Sequence, residues 1–552
     1  MDTQRLILFF IFSFSLLLIW EAWQKETRPK ETAVAAQSAV PAPAQPGKAP
    51  VGSIPVPGVG SAPAAVAAPP ISPATGKGER IRIETDNFLA EVDTLGGDLV
   101  FLELLKHRDT VDKSKDFVLL GPEHKYFAQS GLIGPELPNH KTQFFTAAKS
   151  AKLEDGKDVL EIRIEAQGSE GVKVAKIFTF RRGSYLIDVA FEIVNASQSS
   201  VSAHAYFQIT RDNKDPAGTS SMMSTYTGPA VFTEQDKFHK AAFGDIDKDK
   251  TSYSKISDNG WIAMLQHYFV VAIAPVDKTP REYYTRRLSE GYYAAGVILP
   301  IEPVKVGATG RVSAPLYAGP QEQDKLKAIA NGLDLVVDYG WLTIIAAPLF
   351  WVLELFHGWV GNWGVAIVLL TVVLKLIFFP LSAASYRSMA KMKLVTPRLT
   401  KLRETYGNDR VKLNQAMMDL YKTEKINPLG GCLPIVVQIP VFIALYWVLL
   451  AAVELRQAPF YGWIVDLSAA DPWFVLPTLM MVSMVIQTKL NPTPPDPVQA
   501  KVMMIMPFAF GIMFFFFPAG LVLYWVVNNV LSILQQWQIT RMIEGEKTVL
   551  KR

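Results

Sequence analysis

The sequence of 552 residues contains a single cysteine, Cys432, and almost no net charge. One cysteine excludes an intramolecular disulfide framework and any zinc site made of several thiolates. The 55 Lys and Arg residues exceed the 51 Asp and Glu residues by only +4, too little for a protein whose whole surface binds nucleic acid. Because a domain averages roughly 150 residues, the length indicates three or four structural units.

The sequence also lacks the signatures of common enzyme classes. It has no P-loop, no G-x-S-x-G, no H-E-x-x-H and no paired Asp residues in its apolar segments. Six of the seven histidines are scattered singly between residues 107 and 267, a distribution that favours structural roles. We therefore predict no catalytic residue, no metal site and no cofactor.

Two unlike segments open the chain. Residues 6–20 form an uncharged apolar run, and the sequence that follows, Glu-Ala-Trp-Gln, is unlike a cleavage site. This favours an uncleaved transmembrane signal-anchor over residues 1–27. Residues 28–78 are dominated by Ala, Pro, Val and Gly, a composition typical of an extended, disordered linker.

Polar and apolar residues alternate in the next part of the chain, residues 79–320. The clearest runs lie at 80–83, 160–164, 172–177 and 186–193. Alternation with a period of two is typical of half-buried antiparallel strands. With turn sequences such as Leu95-Gly96-Gly97, the pattern predicts a large β-sandwich outside the membrane.

The carboxy-terminal third is strongly apolar. Residues 321–358 have helical spacing and tryptophans suited to the membrane surface, so we predict amphipathic interfacial helices there. Five later apolar segments, within residues 359–545, approach the roughly 20 residues of a bilayer-crossing helix. They lie at 359–380, 431–453, 473–487, 502–517 and 520–539, and a short tail, 546–552, follows. The predicted fold class is a multi-pass α-helical membrane protein of six spans plus a large all-β sandwich domain on the outer side of the membrane.

Charge predicts the topology. Residues 381–430 hold ten Lys and Arg against four Asp and Glu, a net of +6, and their pattern indicates a helical hairpin with Asp409 capping the second helix. Positive loops stay in the cytoplasm, so this hairpin is predicted to be cytoplasmic, as are both termini. A further crossing at 341–357 would invert this arrangement, which is why we assign that segment to the interface.

Lys375 is the one charged residue between 359 and 380. It lies about five residues, or 7–8 Å, from the end of that segment, so its ammonium group could snorkel to the membrane surface. Alternatively, it faces a water-filled cavity together with other polar side chains. The candidates are Thr371, Gln438, Tyr524, Asn528, Asn529, Gln535 and Gln536, each of which could equally hydrogen-bond between helices.

Several motifs resemble the YidC/Oxa/Alb family of membrane protein insertases. They are Asn-Pro-Leu-Gly-Gly-Cys-Leu-Pro at 427–434, Gln-Ile-Pro at 438–440, Val-Glu-Leu-Arg-Gln-Ala-Pro-Phe at 453–460, Asp-Leu-Ser at 466–468 and Phe-Pro-Ala-Gly-Leu-Val-Leu-Tyr-Trp at 517–525. The anchor, linker and β-domain are similar to the Gram-negative form. The resemblance covers essentially the whole chain.

The resemblance implies a core of five helices around a hydrophilic groove, open to the cytoplasm and to lipid but closed toward the periplasm. Lys375 matches the key basic residue of that groove, for which arginine is better known. The other expected groove residues are Thr371, Gln438, Pro440, Tyr524, Trp525 and Asn528.

The resulting expectation is an insertase and chaperone of the inner membrane that acts alone or with the Sec translocon. Its expected partners are nascent membrane proteins, the Sec translocon with its accessory subunits, membrane lipids and the translating ribosome, but not DNA. A small-solute transporter or channel is the alternative, although the sequence has no internal repeat. An anchored carbohydrate enzyme would leave the five later spans unexplained.

Overall fold

The computed structural model describes residues 78–169, 171–218, 225–288, 291–406, 409–424, 433–491 and 497–550. The chain divides between Val337 and Asp338 into two compact units. We call the described residues before this point the sandwich unit and those after it the helical unit. The predicted anchor, and the predicted linker before Gly78, lie outside the described residues.

The sandwich unit is built from eighteen strands within the described residues. They are β1 Arg80–Glu84, β2 Phe88–Asp93, β3 Asp98–Arg108, β4 Asp116–Leu120, β5 Phe127–Ile133, β6 Ser150–Lys152, β7 Val159–Gln167, β8 Val172–Arg181, β9 Leu186–Asn195, β10 His204–Asp212, β11 Gly228–Thr233, β12 Lys237–Lys240, β13 Ile256–Ser257, β14 Trp261–Gln266, β15 Phe269–Ile273, β16 Arg281–Arg287, β17 Tyr292–Pro300 and β18 Thr309–Pro320. The four runs with the clearest alternation lie in β1, β7, β8 and β9, so the strand prediction is confirmed there.

Two sheets form the sandwich. One has ten strands in the order β13-β16-β17-β10-β5-β3-β2-β1-β6, with β4 paired to β3, and the other has eight in the order β12-β11-β14-β15-β18-β9-β8-β7. Neighbouring strands are antiparallel except for β1 and β6. Inward-facing side chains such as Ile83, Phe180 and Ile187 are fully buried. Each such burial contributes about 1.5–3 kcal/mol, so the predicted β-sandwich rests on an extensive apolar core.

A charged pair lies inside this apolar core. Lys176 on β8 and Asp98 at the start of β3 are both buried, and Lys176 Nζ lies 3.9 Å from Asp98 Oδ1. The ammonium donates hydrogen bonds to the carbonyl oxygens of Gly96 and Ser130, both at 3.1 Å. Gln129 donates to Asp98 Oδ2 at 2.8 Å. Strand parity places Lys176 inward because it follows Val174 by two residues.

The sandwich unit continues past its last strand. A short helix, α2 Gln323–Ile329, and a 3-10 turn, Leu333–Val336, follow β18. Leu326 and Leu333 are completely buried, and Trp261 donates its indole N–H to the carbonyl of Asn331 at 3.2 Å. The structure thus places these residues with the sandwich, whereas the sequence analysis assigns 321–358 to interfacial helices. A four-residue helix, α1 Phe243–Ile246, also lies in this unit.

The described part of the helical unit contains eight helices. They are α3 Thr343–Val360, α4 Trp363–Ile377, α5 Phe379–Tyr406, α6 Arg410–Thr423, α7 Leu433–Ala451, α8 Val475–Leu490, α9 Pro497–Phe514 and α10 Ala519–Leu550. The helix α10 packs against α4, α5 and α8, and α3 packs against α4 and α7. The predicted helical region is confirmed, but α10 runs through the predicted tail as far as Leu550.

The apolar stretch of α3 is longer than that of most other helices of this unit. Among the described residues, α3 is long and apolar enough to cross a bilayer, and α4 with α5 is a second candidate although the pair bends by 66°. Residues 437–451, 475–490 and 500–514 are shorter apolar helices. The length and composition of α3 are thus those of a membrane span, whereas the charge pattern assigns the same segment to the membrane interface. The six-span arrangement stays a prediction.

The predicted basic hairpin is formed by α5 and α6. Asp409 caps α6 by accepting a hydrogen bond from the backbone N–H of Lys412 at 3.1 Å. Val395 and Leu399 on α5 are buried against Met417 and Leu420 on α6. The two helices therefore pack through an apolar seam and leave most of their basic side chains exposed.

Candidate functional site

Helix α4 directs Lys375 toward the interior of the helical unit. The helix begins after Asn362, whose side chain accepts a hydrogen bond from the N–H of Val365. Lys375 is only 7% exposed, whereas the next two residues, Leu376 and Ile377, are 65% and 64% exposed. The cation therefore lies on the inner face of α4, and its apolar neighbours lie on the outer face.

The ammonium group of Lys375 is held by a serine on the last helix. Its Nζ donates to Ser532 Oγ at 2.7 Å, and Ser532 Oγ donates to the carbonyl of Asn528 at 2.7 Å. Tyr386 on α5 also lies close to Ser532. Helices α4, α5 and α10 thus meet around one hydroxyl group.

The hydrogen bonds continue from Asn528 to a further helix, α7. Gln438 on α7 donates to Asn528 Oδ1 at 2.9 Å, and Tyr524 lies close to Gln438. Asn528 and Tyr524 are 8% and 2% exposed. We call Lys375, Ser532, Asn528, Gln438 and Tyr524 the polar row. It brings together four of the seven side chains that the sequence analysis predicts for the groove.

The other three predicted groove residues have different surroundings. Thr371 is buried one turn before Lys375, but its hydroxyl donates to the carbonyl of Ile367 on its own helix at 2.7 Å. Trp525 packs on Phe442 and Phe514, with ring centroids 4.3 and 5.6 Å away. Its indole nitrogen is buried without a hydrogen-bond partner among the described residues. Pro440 lies half-buried inside α7, where it removes one backbone donor.

Two further candidates from the sequence hydrogen-bond between helices α10 and α8. Asn529 donates to Ser483 Oγ at 3.2 Å, and Gln536 on α10 donates to Asn491, just after α8, at 3.1 Å. These contacts lie outside the polar row. They match the alternative that some polar side chains join helices rather than line a cavity.

Sequence reasoning missed Ser532. Its spacing offered a signal, because Tyr524, Asn528 and Ser532 follow one another at intervals of four and so lie on one face of a helix. A serine in an apolar helix commonly donates to the carbonyl four residues earlier. That local bond accounts for the serine by itself, so the sequence gives no reason to expect its second bond, to Lys375. The signature residues 427–432 lie outside the described residues.

The end of α4 away from Lys375 is covered by the segment between α7 and α8. Asn362 donates to the carbonyl of Phe460 at 3.1 Å, and Gly364 lies directly against the ring of Phe460. The backbone N–H of Gly520, at the start of α10, donates to the carbonyl of Leu467 at 2.9 Å. This segment therefore ties the first turns of α4 and α10 together.

Helix α4, which carries Lys375, and helices α7, α8 and α9 contain no Asp or Glu, and the first acidic residue of α10 is Glu544. Of the other two helices that contact α4, α3 carries Glu354 and α5 carries Glu404. Among the described residues, Lys375 forms no ion pair, and no group of three or more His, Cys, Asp or Glu side chains could hold a metal ion. The site offers a buried cation and neutral hydrogen-bonding groups.

Comparison with known proteins covers both units. Residues 80–352 match the family described as the YidC periplasmic domain, and residues 355–547 match the family described as 60Kd inner membrane protein. The membrane protein insertase YidC of Dechloromonas aromatica is 56% identical over 99% of this chain and 98% of its own length. The protein of the same name from Nitrosospira multiformis is 57% identical, with 99% and 98% coverage.

The chain belongs to the YidC family of membrane protein insertases. An active YidC insertase of known crystal structure covers 83% of this chain and 92% of its own, at 18% identity and a TM-score of 0.39. The YidC relatives are named for insertion, which is not an enzymatic activity, and not for solute transport or carbohydrate chemistry. The predicted family and its inner-membrane class are thus confirmed.

Proposed function

We propose that this chain inserts newly made proteins into the inner membrane and assists their folding, using the polar row to receive the polar tail of an incoming span. The observation that carries this proposal is the buried ammonium group of Lys375, which hydrogen-bonds to the neutral hydroxyl of Ser532 and, within the described residues, to no carboxylate. An intramembrane charge is costly and marks functional sites. An acidic group from a substrate would complete the missing pair.

The physical problem in insertion is the tail that must cross. A charged side chain at the bilayer centre costs about 2.5–3.5 kcal/mol on insertion scales. A polar surface inside the helical unit shortens the apolar path, and hydrogen-bonding groups such as Asn528 and Gln438 replace part of the lost water. The tail is then released outward while the apolar segment passes into lipid.

The energy of the step comes from the substrate. Burial of an apolar span contributes roughly 25 cal/mol for each Å² removed from water. The membrane potential adds about 2.3 kcal/mol per acidic charge per 100 mV in the outward direction. No nucleotide is needed for either contribution.

The topology and partners belong to the same proposal. The basic hairpin α5–α6 and both termini face the cytoplasm, and the sandwich unit lies in the periplasm, because only this parity keeps the +6 segment inside. The insertase acts on nascent membrane proteins, alone or with the Sec translocon, and the exposed cations of the hairpin suit ribosomal RNA or anionic lipid.

The test measures insertion of one substrate with an acidic outside tail and of the same substrate with a neutral tail. We expect Lys375→Ala and Lys375→Gln to impair the acidic form selectively, and Lys375→Glu to impair it most because like charges repel. Lys375→Arg retains activity because the sign and reach of the side chain are kept.

Lys489→Ala supplies the matched control, since Lys489 lies exposed near the end of α8. It should leave both tails unaffected at matched insertase levels. Equal insertion of the acidic substrate by the Lys, Ala and Glu forms at position 375 would remove this cation from the mechanism.

A further inference from the structure

Lys375 lies two residues before the end of α4, and the helix points the side chain inward without fixing where the ammonium group at its end lies. A lysine stem has four flexible carbons, and a lysine so close to a helix end ordinarily extends its ammonium toward water. Some contact must hold the group in the polar row. The structure gives that contact as Ser532.

The roles of the two groups in this contact are determined by their protons. An ammonium group has three donors and no acceptor, and a serine hydroxyl has one proton. Ser532 donates that proton to the carbonyl of Asn528 at 2.7 Å. The Ser532 oxygen therefore faces Lys375 as an acceptor. Its orientation is fixed by the turn of α10 that carries both Ser532 and Asn528.

We propose that Ser532 is a positioning residue that retains the ammonium group of Lys375 inside the polar row, where an acidic substrate tail meets it. The inference rests on the proposed function. Within the described residues, Ser532 is the acceptor found for Lys375 Nζ, so the remaining N–H groups are left for a ligand. The ligand class is a carboxylate on a peptide tail.

A neutral acceptor suits this task better than a carboxylate. In the bond from Lys375 to Ser532 only the donor is charged, whereas a carboxylate adds the attraction of an opposite charge, so an acidic tail competes well for Lys375. A fixed Asp at position 532 would neutralise the cation permanently. Ser532 thus positions the ammonium group of Lys375 and leaves its positive charge available to a substrate.

The experiment compares acidic-tail and neutral-tail insertion for Ser532→Ala, Ser532→Thr and Lys375→Ala in the full-length protein. We expect Ser532→Ala to lower the ratio of acidic to neutral insertion several-fold, toward the ratio of Lys375→Ala. Ser532→Thr keeps the hydroxyl and restores the ratio. In the Lys375→Ala background, Ser532→Ala should change the ratio no further, because the two residues act through one contact.

Ser483→Ala is the matched control, since Ser483 is a buried serine of the same unit that contacts Asn529 rather than Lys375. Its ratio should equal that of the unaltered protein. If Ser532→Ala accumulates poorly, Ser532→Cys, whose sulfur is a weak acceptor, must lower the ratio in the same way.

Three outcomes would overturn this inference, and they differ in what they say about the proposed function. A ratio that falls in Lys375→Ala but not in Ser532→Ala overturns the positioning role and leaves the proposed function standing. A ratio that falls in neither variant overturns both. Equal loss on both tails in Ser532→Ala assigns Ser532 to packing and likewise overturns the positioning role.

Discussion

The carboxyl group of Asp98 sits in an apolar core at the start of β3, 3.9 Å from the ammonium of Lys176. Burial raises the pKa of Asp98 to about 7, although the attraction of Lys176 opposes the rise. Burial likewise lowers the pKa of Lys176. Both shifts have the same cause, because the core solvates neither charge as well as water does.

The raised pKa predicts how the stability of the sandwich unit depends on pH. In the folded state Asp98 binds its proton more tightly than in the unfolded state, so its contribution is complete below about pH 4 and is lost as pH rises toward about 7. The midpoint temperature of thermal unfolding should therefore fall between about pH 4 and 7, and it should fall less in Asp98→Asn. The midpoint is measured by circular dichroism of the sheets as the full-length protein is heated.

Glu154 supplies the control for this pH measurement. Its exposed carboxylate pairs with Lys157, which lowers the pKa of Glu154, the opposite direction to Asp98. Glu154→Gln should leave the fall between about pH 4 and 7 in place. An unchanged pH dependence in Asp98→Asn would show that Asp98 is not the group responsible.

At the scale of elements, the first turn of α4 depends on a glycine. A Cβ atom at Gly364 would lie 2.1 Å from Cδ2 of Phe460, so the segment between α7 and α8 can approach α4 only where no side chain intervenes. The same segment binds the start of α10 through Leu467. This segment therefore holds the first turns of α4 and α10, two helices of the polar row, in place.

Gly364→Ala should destabilise the helical unit by about 1–3 kcal/mol, because an added methyl group in a tight contact forces the ring to move. Gly358→Ala on α3 is the matched control, since its Cβ would meet nothing within 4 Å and alanine favours the helix. Thermal stability in detergent should fall for the first variant only. Equal stability of the two variants would contradict the tight contact.

At the scale of the whole molecule, the boundary between Val337 and Asp338 decides which deletion preserves function. Removing residues 79–337 should leave insertion largely intact, since the polar row lies wholly in the helical unit. Removing only 79–320 strips Leu326, Leu333 and Val336 of the sandwich that buries them. That variant should aggregate more, because a newly exposed apolar patch promotes association.

Insertion of a short-tailed substrate in vesicles, together with monodispersity in detergent, compares the two deletions. The longer deletion should be both active and monodisperse. Complete loss of insertion by the 79–337 deletion, with the helical unit folded at normal abundance, would place the active site in the sandwich.

The proposed topology is tested with single cysteines in a Cys432→Ser background. Ala347 and Thr400 are both exposed in the structure, so a cysteine at either position can be labelled. An impermeant maleimide should label position 347 and not position 400 in intact spheroplasts, because the basic hairpin stays in the cytoplasm. Labelling of position 400 under these conditions would show that α3 crosses the membrane and that the parity is inverted.

The sequence by itself determined the features that depend on local patterns. Period-two alternation predicted strands such as β8 and β9, and the Asp409 cap of α6 follows from a single residue type at a helix start. Lys375 could be selected because a lone cation in an apolar helix carries a cost wherever the chain folds. Periodicity and charge need no knowledge of distant contacts.

Only the tertiary structure decided which distant residues meet. The bond from Lys375 to Ser532 joins residues 157 positions apart. Gly364, in the first turn of α4, likewise contacts Phe460, which lies in the distant connection between α7 and α8. The same is true of Lys176 with Asp98, and of Leu326 with the sandwich. Such pairs depend on how whole helices and sheets pack, because any polar or apolar side chain on the right face would satisfy the local pattern equally well.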